Sequence, residues 1–240
     1  MSTIHFIGGE KGGVGKSVLA RVLSQYCIDR AEPHMALDAD QSHATLSRYY
    51  EDFTEPMNLD SFESTDAIME KAAERDAQVI IDLPAQSQRF LDRWMAESGV
   101  LELCEEMGMP LVYWYTVDDG PDSMQLLERF LDTYGNTLQS VVVRNHGCGT
   151  DFADVDKLLE QHAYNADSPV LQFDLPALHA QTMHKVDKRH LSFWAAVNLK
   201  EKGSQHLSLM ERQRTKVWLK KAYAGIDAVL DQVALPGVQE

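Results

Sequence analysis

The sequence predicts an α/β fold: a doubly wound, mostly parallel sheet with helices on both faces and a helical C-terminal extension. Apolar, β-rich runs recur with amphipathic segments between them, the pattern of a parallel sheet wrapped by crossover helices. The first run leads at once through a glycine-rich turn into a helical pattern, and a long helical pattern closes the chain after Gly203-Ser204-Gln205. Strands are expected over 3–8, 34–37, 78–83, 111–117, 140–144 and 170–173. Helices are expected over 16–30, 41–50, 66–76, 87–107, 122–134, 151–162 and 207–233.

With 240 residues, 44% of them apolar, the chain suffices for one large domain over 1–240, and no Pro/Gly/Ser-rich linker or internal repeat divides it. No basic segment leads into an apolar run at the N-terminus. No stretch approaches the roughly 18 uninterrupted apolar residues of a membrane helix, so a soluble, unprocessed protein is expected. Cys27, Cys104 and Cys148 are far apart and in no CxxC pair, which argues against a disulfide framework or zinc site and fits a reducing cytoplasm.

The net charge of −15 is unevenly spread. Residues 180–221 hold ten Lys or Arg against three acids, a local +7, which leaves −22 for the other 198 residues. The acidity belongs to the body and the basicity to one late segment.

Ile4-His5-Phe6-Ile7 reads as a buried strand and Val18-Leu19-Ala20-Arg21-Val22-Leu23 as helix, so Glu10-Lys11-Gly12-Gly13-Val14-Gly15-Lys16-Ser17 lies at a strand-to-helix turn. Gly12, Gly13 and Gly15 let successive backbone N–H groups, through Val14 and on to Val18, turn toward one anion at the positive end of a helix. That cradle suits a triphosphate: Lys16 would reach the β- and γ-phosphates and the Ser17 hydroxyl would ligate Mg²⁺.

Glu10 occupies the first glycine position of the ordinary P-loop pattern, and the segment Lys11–Ser17 instead resembles the deviant Walker A motif of ParA/MinD-family P-loop ATPases. The resemblance implies that Lys11 reaches across a nucleotide-sandwich homodimer to the partner's phosphates. The residues themselves assign Glu10 no role.

Met35-Ala36-Leu37-Asp38-Ala39-Asp40-Gln41 is similar to the family's switch I. One carboxylate there can orient or deprotonate the attacking water and another can hold Mg²⁺ through its water shell; Asp40 is expected at the water and metal, with Asp38 in support. The same Asp-x-Asp pattern also describes a helix cap. Val79-Ile80-Ile81-Asp82 has the form of a Walker B strand, placing Asp82 on Mg²⁺, and Leu83-Pro84 follows as in switch II. Asn145, after Val141-Val142-Val143-Arg144, resembles the family's strand-end Asn, whose amide can pair with an adenine edge; a turn-forming Asn is the other reading. The resemblance covers residues 1 to 176 and implies an ATPase using ATP and Mg²⁺.

Arg212, Lys216 and Lys220 recur every four residues, so a cationic stripe could meet DNA phosphates without reading sequence, helped by Lys185, Lys188, Arg189, Arg214 and Lys221. A solvated face balancing the acidic body gives the same pattern. A protein activator or cargo is the other partner class. The tail Ala234–Glu240 cannot form the amphipathic helix that carries MinD to membranes, so membrane recruitment is not expected. The tract Met210–Val217 is similar to ParA-like ATPases of plasmid conjugal-transfer and mobilisation operons, and the wider resemblance to family members that segregate plasmids implies plasmid or DNA partitioning as the other setting. Two rivals on the same fold are an ATP-dependent ligase or amidotransferase-like enzyme and a nucleotide-dependent adaptor with little turnover.

Overall fold

The computed structural model describes residues 2–40, 44–163, 170–200 and 206–233. Seven strands form one sheet in the order β3-β2-β4-β1-β5-β6-β7, with every pairing parallel. The strands are β1 (Thr3–Gly8), β2 (His34–Asp38), β3 (Thr54–Pro56), β4 (Gln78–Asp82), β5 (Leu111–Val117), β6 (Gln139–Asn145) and β7 (Leu171–Leu175). The central strands β1, β4 and β5 are buried almost throughout, as a sheet covered on both faces requires.

Two apolar layers clothe the sheet. One receives α3 (Phe62–Glu74), α4 (Gln88–Ser98), α5 (Val100–Glu106), α6 (Pro121–Tyr134) and α7 (Ala153–Ala163), through residues such as Ile68, Leu91, Trp94, Phe130 and Leu159. The other receives α1 (Lys16–Arg30), α2 (Thr45–Tyr49), α8 (Ala180–Lys188), α9 (Phe193–Asn198) and α10 (Leu209–Leu230), through Leu19, Leu46, Val186, Phe193 and Trp218. The C-terminal helices therefore complete the second layer: α10 packs on β7 and α9.

Several boundaries differ from the sequence expectation for identifiable reasons. The helix expected over 87–107 breaks at Gly99, whose φ of 59° ends α4 in a left-handed turn. The edge strand β3 is three residues long and ends in Pro56, which an edge tolerates because one side of its backbone needs no ladder partner. Within 177–206, expected as part of a helical C-terminal region but without helix bounds, α8 and α9 form, the latter capped by Ser192. The third helix begins earlier than expected because the Ser61 side chain accepts from the Ser64 N–H. The last begins at a capping box in which Ser208 and Glu211 satisfy each other's backbone N–H groups. Gln41 and the Gly203-Ser204-Gln205 break lie outside the described residues, as does the 234–240 tail.

Candidate functional site

Because every strand runs the same way, the C-terminal ends of β1, β2, β4 and β5 meet at one edge, where open parallel sheets bind ligands. The loop leaving β1 turns there through two left-handed glycines, Gly13 (φ 80°) and Gly15 (φ 96°). A Cβ on Gly15 would lie 2.1 Å from Asn145 Nδ2, so both conformation and space demand glycine. Gly12, expected to share this role, is not left-handed, and open space surrounds the position of its missing Cβ.

Gly15 is also the N-cap of α1 and offers no side chain to cap it, so the first N–H groups of that 15-residue helix face the loop without a side-chain acceptor. Ser17 and Val18 lie in this first turn, and the buried Lys16 side chain folds over the loop to donate to the Lys11 carbonyl at 2.9 Å. Burial lowers the Lys16 pKa, while Asp82, Glu10 and Asp40 pull it back up.

Asp82 ends β4 beside Asp38 of β2 and Ile7 of β1. It is fully buried, and neither carboxylate oxygen has a hydrogen-bond partner among the described residues. Burial pushes its pKa up to about 7; the nearby Ser17 hydroxyl, too poorly placed for a hydrogen bond of ordinary geometry, opposes the rise. A buried acid left without partners beside a serine and a lysine has the donor chemistry of a metal-linked carboxylate. Among the described residues no group of three or more His, Cys, Asp or Glu forms a cage. The Ser17 hydroxyl and the Asp82 carboxylate are the kind of oxygen donors that Mg²⁺ takes in small number, sharing its shell with phosphate oxygens and water.

Asp38 is spent locally: its oxygens accept from Asp40 N at 3.2 Å, and from Ser47 N and Oγ at 2.9 and 3.0 Å. The helix-cap reading of the Asp-x-Asp pattern thus describes Asp38. Asp40 instead lines a cleft of about 860 Å³ with Asn58, Pro84, Gln86, Arg89 and Arg93.

Asn145 is buried and engaged at both ends by the protein. Its Nδ2 donates to Val14 O at 2.8 Å and its Oδ1 accepts from Gly147 N at 2.9 Å. These two bonds brace the phosphate loop against the turn that follows β6.

Lys11 leans away from the loop to Asp118, after β5, with Nζ 2.7 and 3.0 Å from the two carboxylate oxygens. Sequence reasoning missed Asp118, because only the fold brings it to the loop.

The expected cationic stripe is interrupted. Arg212 donates to the Leu199 carbonyl at 3.1 Å, Arg189 to that of His206, and Lys185 pairs with Glu211. Arg214, Lys216, Lys220 and Lys221 remain exposed along α10, and Lys188 on α8. Three tryptophans are buried; Trp194 is half-exposed in a groove with Lys216 and Lys220.

A glycine turn into an uncapped helix N-terminus, a lysine folded over it and an orphaned acid one strand away lie on an α/β fold like that of the P-loop ATPases. No protein-family model matches the sequence. The chain is 27% identical over 244 residues to a TraL protein of Escherichia coli, covering 95% of this chain and 98% of TraL. It is 26% identical over 147 residues to MobD of Acidithiobacillus ferrooxidans, covering 60% and 64%. Among solved structures it is similar to MinD of Pyrococcus horikoshii OT3 complexed with Mg-ADP, with a TM-score of 0.52 and 16% identity over 94% of this chain and 98% of MinD. No helix among the described residues is long and apolar enough to cross a membrane.

Proposed function

We propose that this protein is an Mg²⁺-dependent ATPase that works as a dimerisation switch in the mobilisation or conjugal transfer of DNA. The single observation that carries the reading is the uncapped α1 N-terminus with Lys16 folded over its loop and the unpartnered Asp82 beside Ser17. The loop N–H groups and Lys16 would hold the phosphates of ATP, and Ser17 with Asp82 would hold Mg²⁺, which supplies neutralisation of phosphate charge when bound. Asp40, at the mouth of the neighbouring cleft, would orient the attacking water. Lys11 would leave Asp118 to serve the partner's phosphates. The resemblance of Met210–Val217 to mobilisation-operon ATPases and the similarity to TraL and MobD support the biological setting.

Dimers formed with ATP would hold DNA nonspecifically through Arg214, Lys216, Lys220 and Lys221, or a protein partner at the same helix. Purified protein should release phosphate from ATP only with Mg²⁺. It should bind DNA more tightly with ATP than with ADP, and lose the DNA as salt rises. Phosphate release that needs a small carboxylate substrate would replace the switch with a ligase, and ATP-dependent dimers indifferent to DNA would transfer the role of α10 to a protein partner.

A further inference from the structure

The residue before Lys11 is an acid in a loop built for a polyanion, and its geometry explains how it is tolerated. Glu10 turns its side chain out of the cradle. Its Oε1 accepts the Gln88 N–H at 2.8 Å and its carbonyl accepts the Gln86 N–H at 3.2 Å. Gln88 is the first residue of α4, and Ser87, at that helix's N-cap, makes no side-chain cap of its own. A helix needs acceptors for its first N–H groups, and a negative charge there also suits its dipole. The helix α4 thus takes its cap from a phosphate-loop residue 78 positions earlier in the chain.

The connection is taut. Gln86, which donates to the Glu10 carbonyl, holds a left-handed φ of 61°, costly for a residue with a side chain unless its surroundings enforce it. Beyond this turn α4 supplies Arg89, Phe90 and Arg93 to the lining of the cleft that Asp40 also lines.

We infer that Glu10 is a positioning residue that couples the phosphate loop to α4, so that nucleotide binding at the loop is passed to the wall of the Asp40 cleft. The inference rests on the nucleotide reading of this loop given above. What Glu10 must present is a hydrogen-bond acceptor at Oε1, so glutamine can stand in for it and alanine cannot.

The test measures ATP affinity, ATP turnover and amide hydrogen exchange over residues 84–93, with and without Mg-ATP. The proteins are wild type, Glu10→Gln, Glu10→Ala and Glu10→Ala with Ser87→Asp, which places a carboxylate on α4 itself. In wild type, ATP should slow exchange at the start of α4. Glu10→Ala should keep ATP affinity within about 3-fold while turnover falls about 10-fold and exchange at α4 stops responding to ATP; Glu10→Gln should stay within about 2-fold of wild type. Ser87→Asp should restore slow exchange at α4 without restoring its response to ATP or the turnover. The coupling is overturned if α4 in Glu10→Ala still responds to ATP, if Glu10→Gln is as impaired as alanine, or if Ser87→Asp restores turnover. A wild type that binds no ATP overturns the nucleotide reading itself, an outcome distinct from ATP binding that leaves α4 unchanged.

Discussion

Lys11 Nζ donates to both carboxylate oxygens of Asp118, and Asp118 is itself fixed by the Ser123 hydroxyl at 2.6 Å and the Gly120 N–H at 3.0 Å. Burial pushes the Asp118 carboxyl up, but these donors outweigh it and hold the pKa below the usual carboxylate range; the Asp118 hydrogen bond raises that of Lys11. The lysine that the proposed switch needs across a subunit boundary is thus held by its own chain. The bond that must break is a partly exposed ion pair, worth about 0.2–1 kcal/mol. Asp118→Asn should therefore strengthen ATP-dependent dimerisation by roughly 2- to 5-fold, measured as the concentration at which light-scattering mass doubles. A weaker dimer would mean that Asp118 acts in the dimer and not against it.

Lys16 bridges the loop from inside, touching the Lys11 carbonyl, and is largely buried. Lys16→Ala should lower ATP affinity at least ~100-fold by calorimetry, because it removes a side-chain cation folded over the cradle, and should leave far-ultraviolet circular dichroism unchanged. Ordinary affinity in this variant would dissociate the loop from nucleotide binding.

Asp82 sets stability against activity. Its folded pKa, about 7, lies above the unfolded value of 3.8, so ionising it in the folded protein is costly and the cost is fully present above pH 7. Without nucleotide or Mg²⁺, Asp82→Asn should stabilise the protein at pH 8 by about 2–4 kcal/mol in urea titrations, with little gain at pH 4. The same variant should lose Mg²⁺-dependent turnover. Destabilisation at pH 8 would show that the carboxylate has a partner.

His5 works in the opposite direction. It is buried in β1, accepts the Trp114 indole N–H at Nδ1 and bonds Gln78 through Nε2. Burial lowers its pKa to about 4 from 6.5, with Gln78 opposing. Between those values the unfolded chain binds the extra proton, so the contribution present above pH 6.5 is lost as pH falls toward 4, by up to about 3 kcal/mol. Protonation of Asp82 masks part of this. The informative quantity is the wild-type slope minus that of His5→Gln, which should be positive across pH 4 to 6.5; equal slopes would exclude His5 as the cause.

What the sequence made legible was local. Gly13 and Gly15 stand where the backbone takes a left-handed conformation that side chains rarely adopt, and the apolar runs of β1, β4 and β5 announce burial on two faces. The short strand β3 was not legible, since a half-buried threonine, an exposed glutamate and an exposed proline carry no apolar signal and its pairing depends on β2. The partners of Glu10, Lys11 and Asn145 were hidden for a different reason: Gln88, Asp118 and Val14 lie 78, 107 and 131 positions away, and only the assembled sheet brings them together. The stripe on α10 was drawn correctly as helical periodicity, but its first member, Arg212, was already bonded to the end of α9.

The most direct test of the switch is the solution mass of wild type and Lys11→Ala with Mg-ATP, with Mg-ADP and without nucleotide, each alongside measured nucleotide binding. The account predicts a wild type that doubles from 27.1 kDa with ATP alone, and a Lys11→Ala variant that binds ATP yet stays at 27.1 kDa. Equal ATP-dependent doubling in both proteins, or a wild type that binds ATP and never doubles, would contradict it.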